Sequence, residues 1–191
     1  LQYAVPAGTK WSYNTAAYSR SLMCVAKAAN MKPTELTKKW LTDPVGMKDS
    51  RWAVRPWIEL RPDVNNLGFA TTARDLARFG LLMLANGNWD GKNIIEDKAY
   101  IKTALSPSQK LNTAYGYLWW LNGHRALTAT NKRGGRMIFA APQDMYAAKG
   151  ALVRRLFVLP TQQVVITRLG DQPAKDFDTQ FFKKLKLAIA K

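Results

Sequence analysis

The stretch "DMYAAKGALVRRLFVLPTQQVVITRLG", residues 144–170, decides the fold. It reads as successive strands: "LFVLP" and "QVVITRL" are short runs rich in β-branched and aromatic residues, parted by a polar turn. Just upstream, "YGYLWWLNG" (115–123) has the aromatic content of another strand, and Asn122-Gly123 is a turn signal. Trp119 and Trp120 fit a packed sheet, yet strand alternation sends one of two consecutive residues to the opposite face. Downstream, Phe177, Phe181, Leu185 and Ile189 recur at four-residue steps, the stripe of a terminal helix docked on a sheet; a membrane-surface helix is the competing reading.

The first half has a helical period instead. "TAAYSRSLMCVAKAAN" places Tyr18, Leu22, Val25 and Ala26 at helical spacing. "KPTELTKKWLTDPVGM" predicts a second helix with Pro33 in its first turn and Pro44 as its stop. Residues 48–67, with Pro56 and Pro62, read as a loop or a weak strand pair. "TTARDLARFGLLMLANG" predicts the clearest helix: Thr72 and Asp75 form a capping box with Asp in the acidic position, Leu76, Phe79, Leu82 and Met83 line one face, and Gly87 ends it. "NWDGKNII" then reads as a turn into a short helix ending near Leu105. Helices first, antiparallel strands later and one helix last define an α+β fold, divided at 1–110 (mainly helical) and 111–191 (strands plus the C-terminal helix).

With 191 residues, 47% hydrophobic and 11% aromatic, the chain has the composition of a globular domain, and no apolar run reaches the ~20 residues of a membrane span. Its +16 charge, from 29 Lys+Arg against 13 Asp+Glu, raises the question of nucleic acid. The cations are scattered through "TKKW", "NKRGGR", "VRR" and "FFKKLKLAIAK" without a nucleic-acid-binding signature, which predicts a solvated basic surface and no nucleic-acid partner. The single Cys24, among Leu22, Met23, Val25 and Ala26, is expected to be a buried, inert thiol.

Several chemistries fall away. The one histidine, His124, lies in a polar loop; no G-x-S-x-G elbow, glycine-rich phosphate loop or His/Cys cluster with metal-ligand spacing is present, so neither metal nor cofactor is expected. Tyr13, in "PAGTKWSYNTAAYSR" (6–20), reads locally either as a packing residue at a helix entrance or as a catalytic phenol.

Taken together, "PAGTKWSYNTAAY", "WLTDPVGMKDSRW", "ATTARDLARFGLLMLANGNWDGKNII", "YGYLWW" and the 144–170 stretch resemble the serine β-lactamase and penicillin-binding superfamily. Within it they are most similar to the class C-like serine hydrolases. The resemblance implies a β-lactamase/DD-peptidase-like fold and an acyl-serine hydrolase acting on a small-molecule or peptide amide or ester, placed in the periplasm or secreted. In that family a serine attacks, a lysine three residues on helps deprotonate it, and a tyrosine relays the proton; the tyrosine maps onto Tyr13. An unperturbed phenol, with a pKa near ~10, needs neighbouring cations to act as a base, and Lys10 is close in sequence.

No Ser or Thr here is followed three residues later by Lys, so the resemblance implies a C-terminal portion whose S-x-x-K segment precedes Leu1. Alone, such a portion is expected to be inactive and to fold poorly. Two departures stand inside the matched region. The family's Y-x-N asparagine aligns with Thr15, with Asn14 displaced to the middle position. The K-(T/S)-G motif appears as Ala148-Lys149-Gly150, which removes a cation for a β-lactam carboxylate and favours an esterase or amidase. The expected site is therefore Tyr13 and the backbone N–H of Ala151 as catalytic groups, with Asn14, Thr15, Lys149, Gly150 and Trp120 facing the substrate. A non-catalytic scaffold holding peptidoglycan or another anionic polymer is the alternative.

Overall fold

The computed structural model describes residues 5–6, 8–58, 65–126 and 134–189. Its centre is a four-stranded antiparallel sheet in the order β5 (Trp120–Leu121), β6 (Tyr146–Gly150), β7 (Arg154–Leu159) and β8 (Val164–Arg168). The 144–170 stretch thus forms three adjacent strands, joined by short connections as antiparallel neighbours allow.

Each face of the sheet is covered, and alternation decides what each face receives. Tyr146, Leu156, Val158 and Val165 point to one side, where Trp119, Leu121, Met83 and Ile101 complete a core. Ala147, Phe157 and Ile166 point to the other, with Trp120, Met145 and Phe182. Trp119 and Trp120 therefore enter opposite cores, and both are buried.

The first core is closed by α4 (Ala73–Leu84), which lies on β7 and β8. Gly80 makes this close approach possible: a Cβ there would sit 2.5 Å from Val165 Cγ1 and 2.7 Å from Leu156 Cδ1. The second core is closed by α6 (Phe177–Ile189), whose deepest side chain is Phe182, ring to ring with Phe157 at 5.0 Å. In the expected stripe, Phe181 and Leu185 pack against this core, while the Ile189 side chain lies outside the described residues.

The N-terminal half departs from the sequence reading at Cys24 and Pro44, while a strand pair within 48–67 and a turn into a short helix near Leu105 are found as read. α1 (Thr15–Ala28) forms as expected, but only Ala26 is buried and Cys24 is exposed: among the described residues nothing covers that side of α1, so the thiol meets solvent. α2 (Pro33–Thr37) continues through a π-helical turn, Lys38–Thr42, into α3 (Asp43–Val45). Pro44 is therefore not the stop: the wider turn before it takes up the ring and the missing N–H, and Gly46, at φ 74°, ends the helix in the left-handed region. The 48–67 segment supplies β1 (Arg51–Val54), paired with β2 (Leu67–Ala70); Pro62 lies outside the described residues. "NWDGKNII" is a hairpin, β3 (Asn88–Trp89) with β4 (Lys92–Asn93), leading to α5 (Lys98–Ala104). Asp90 and Gly91 close it at φ 47° and 73°, the signature of a type I′ loop.

Asp75 also differs from expectation. Thr72 caps α4 by accepting from the Asp75 N–H, but the Asp75 carboxylate does not return the bond. It is 1% exposed and accepts from the Asp49 N–H (2.8 Å), the Ser50 hydroxyl (2.9 Å) and Arg78 (2.9 Å). It ties the segment before β1 to α4. Fully buried Asn122 does similar work beside β5: its amide donates to the carbonyls of Ile138, Ala141 and Pro142 and accepts from the Ile138 N–H.

Candidate active site

The site starts where α1 meets the sheet. Asn14 adopts an extended backbone, and its side-chain oxygen accepts from the Ala17 N–H at 3.1 Å, the usual use of Asn at a helix entrance. Its side-chain oxygen is thereby engaged as a cap, and Thr15 follows as the exposed first residue of α1. Tyr13, immediately before the cap, folds back onto the sheet and lies parallel to the Trp120 ring at 5.9 Å. Tyr115 and Trp11 meet the same indole edge-on, at 4.9 and 5.8 Å.

From the sheet side, Lys149 reaches this indole as well, its Nζ 5.4 Å from the Trp120 ring centre. Tyr13 and Lys149, far apart in sequence, thus share one aromatic platform. Gly150 and Ala151 follow Lys149 directly, so the strand end carrying the candidate oxyanion donor leaves the sheet beside that platform.

The electrostatics are set by burial. Tyr13 keeps 43% of its surface exposed, yet desolvation of the remainder, and then its neighbour Tyr18, whose hydroxyl lies 3.3 Å from its own, push its phenol above the ordinary value. Burial also pushes Tyr115 up to about 12. The side chains that move Tyr13 are two neighbouring tyrosines, Tyr18 and Tyr115. Lys149 moves down from 10.5, first through burial and then through the positive charge of Arg155, with Asp178 opposing.

That last effect follows from strand register. Lys149 lies opposite Arg155, and Arg155 opposite Arg168, so three cations form one row across β6, β7 and β8. Like charges so placed repel. Asp178, near the start of α6, offsets them through a 3.0 Å ion pair with Arg155, with both side chains largely buried.

Beyond Gly150 the chain enters an unusual turn. Leu152 and Val153 have φ of 55° and 56°, a left-handed conformation that is an outlier for a β-branched residue. Arg168 donates to both their carbonyls, each at 3.1 Å, and Arg155 donates to those of Gly150 (3.2 Å) and Arg154 (3.0 Å). A Cβ at Gly150 would meet Arg154 alone, its Cβ at 3.4 Å and its carbonyl oxygen at 3.8 Å, both ordinary contacts, so nothing in the described chain itself demands glycine there.

Sequence reasoning missed Arg155 and Arg168, because "VRR" and "TRLG" carry no signal of carbonyl binding; only the strand register places them in line with Lys149. His124 is exposed. Among the described residues no group of His, Cys, Asp and Glu is arranged to hold a metal ion, and no helix is long and apolar enough to cross a membrane. A cavity of about 770 Å³ between α6 and residues 136–142 includes none of the candidate residues in its lining.

An antiparallel sheet covered by helices on both faces, with a tyrosine loop brought to one strand end, is the architecture of the β-lactamase/DD-peptidase class. The sequence model of the Beta-lactamase family matches residues 1–187, and the chain belongs to that family. Solved structures agree on the fold. A Bacillus anthracis protein with the provisional name 6-aminohexanoate-dimer hydrolase is 17% identical, with a TM-score of 0.70 over 98% of this chain and 45% of its own. A provisional β-lactamase from Bacteroides dorei is 15% identical, with a TM-score of 0.68 over 100% of this chain and 62% of its own. A β-lactamase from Mycobacterium bovis is 14% identical, with a TM-score of 0.65 over 98% and 67%. The chain therefore spans about half to two thirds of the length of these structures. No curated protein matches it.

Proposed function

We propose that this protein is the C-terminal portion of a serine hydrolase that cleaves an amide or ester through an acyl-serine intermediate. One observation carries the reading: Tyr13 and Lys149 meet on Trp120 beside the Gly150-Ala151 strand end. The S-x-x-K serine and lysine belong to a segment outside this chain. The 1–110 region brings the tyrosine and the 111–191 region the oxyanion donor.

The roles follow from the site's charges. A phenol pushed up by burial keeps its proton at neutral pH, so Tyr13 acts as a relay that hands its proton to the leaving group and takes a replacement from the lysine that has accepted the serine's proton. Deprotonating the serine then falls to the lysine of the missing segment. The Ala151 N–H receives the developing oxyanion, a role worth ~3 kcal/mol in the transition state. Lys149, Gly150 and Trp120 form the substrate's floor, with Asn14 and Thr15 at its rim. Ala148, where the family carries a cation, packs against the α4 core, which favours an uncharged ester or amide over a β-lactam carboxylate. A periplasmic or secreted location fits the family.

The test is Tyr13→Phe in the full natural polypeptide, assayed with p-nitrophenyl esters. Turnover should fall by about 100-fold, the scale of lost proton transfer. Unchanged turnover would remove Tyr13 from the mechanism. The 191-residue chain alone should take no covalent label from a serine-reactive phosphonate.

A further inference from the structure

Two hairpins in this molecule close on consecutive left-handed residues, and they fill those positions in opposite ways. The β3–β4 loop uses Asp90 and Gly91, residue types that tolerate positive φ. The loop between β6 and β7 uses Leu152 and Val153, types that resist it. The difference lies in what holds each turn. At the second, Arg168 donates one guanidinium nitrogen to the carbonyls of both Leu152 and Val153, and a second nitrogen to the Asp171 carbonyl at 2.6 Å. The Arg168 guanidinium also lies 5.1 Å over the Phe177 ring, which fixes its plane. Arg155, anchored by Asp178, holds the carbonyls on either side of the turn. Tertiary contacts thus impose a conformation that local sequence opposes, and such imposed strain concentrates at functional sites.

We propose that Arg168 is a positioning residue for the hydrolytic reaction: by gripping the Leu152 and Val153 carbonyls it locks the strained turn and so fixes the direction of the adjoining Ala151 N–H. The proposal rests on the reading of Ala151 as the oxyanion donor. Arg168 touches neither substrate nor reacting atoms in this role. It acts through two peptide units, and an oxyanion donor must point at the tetrahedral oxygen before the reaction begins to be of use.

The experiment compares Arg168→Ala, Arg168→Lys and the double variant Arg168→Ala/Val153→Gly in the full natural polypeptide, reading amide hydrogen exchange at Arg154, whose N–H donates to the Ala151 carbonyl across the turn, alongside p-nitrophenyl ester kinetics. In Arg168→Ala, exchange across the turn should quicken about ten-fold as the segment opens locally. Its kcat should fall by about 10- to 100-fold with KM unchanged, the cost of a misplaced group. Arg168→Lys, which keeps a cation in place, should fall between the parent and the alanine variant. Val153→Gly in the alanine background should return most of the lost kcat, because glycine takes positive φ without penalty and the turn then holds itself. Unaltered exchange in Arg168→Ala overturns the clamp. Faster exchange with parental kcat, or a kcat loss that Val153→Gly does not restore, overturns the positioning role. A parent protein with a slowly exchanging turn and no ester turnover would instead fail the reading of Ala151 as oxyanion donor, and the positioning role would fall with it.

Discussion

Replacing Gly80 with alanine sets two effects of opposite sign against each other, and the structure says which wins. Alanine in a helix interior is favoured over glycine by about 1 kcal/mol. The new methyl would lie 2.5 Å from Val165 Cγ1 and 2.7 Å from Leu156 Cδ1, whereas carbon atoms rest at about 3.5–4.0 Å. Relief needs a shift of about 1 Å between α4 and the sheet, and Leu156, 1% exposed, has no room to swing. Overpacking of this kind costs about 1–3 kcal/mol, so Gly80→Ala should come out destabilised by about 1 kcal/mol net. In the longer natural polypeptide proposed above, that lowers Tm by about 2 °C or less. Urea unfolding followed by circular dichroism measures it directly, as a lower midpoint at constant slope. Val165→Ala in the same protein should recover part of the loss, with a coupling of about 0.5 kcal/mol or more in a double-mutant cycle. A raised midpoint for Gly80→Ala, or strict additivity with Val165→Ala, would refute the claim that Gly80 is there for close approach.

Asp75→Ala removes the acceptor for the Asp49 N–H and the Ser50 hydroxyl and frees the part-exposed Arg78, and should cost about 1–3 kcal/mol by thermal or urea melting, the cost of the donors left unsatisfied. A loss as small as that of an ordinary surface change would mean the tie between α4 and β1 is dispensable. Among the seven tyrosines, Tyr13, Tyr115 and Tyr146 should ionise late in an ultraviolet titration, since burial is the first cause of the upward shift in each. Their contribution to stability is fully present below the unfolded value of ~10 and is lost as pH climbs through the raised folded values, about 12 for Tyr115, because the unfolded chain ionises first. Lys149 runs the other way: its folded value is lowered, so it favours unfolding while charged and gives stability back as pH rises through that value. Lys149→Met should therefore flatten the stability profile on the alkaline side, and an unaltered profile would show that Lys149 is better solvated than its position over Trp120 implies.

Strands β6 to β8, α4 and α6 were legible because their apolar residues repeat with the period of the element. The misreadings have local causes. Pro44 and Cys24 were judged from their neighbours in sequence, whereas their surroundings are set by a widened turn and by an uncovered helix side. Asp75 has the spacing of a capping residue, and nothing in "TTARD" tells that its carboxylate turns toward residues 49 and 50. Of the candidate site, Tyr13, Lys149 and Gly150-Ala151 could be named from motifs, but not the indole that joins Tyr13 to Lys149, nor the cap that engages Asn14. The Leu152-Val153 turn was beyond reach, because turn prediction depends on Gly, Asn or Asp and this turn contains none.

That turn also bears on the order of folding. The β3–β4 hairpin carries its own nucleus in Asp90-Gly91 and can close as soon as its residues are free. The β6–β7 hairpin, at the centre of the sheet, cannot start from its turn, because Leu152 and Val153 favour other conformations until the carbonyl donors of Arg168 and Arg155 arrive. Arg168 lies on β8, and Arg155 is anchored from α6. The central hairpin thus waits for β8 and α6, and its closure reports that both have docked.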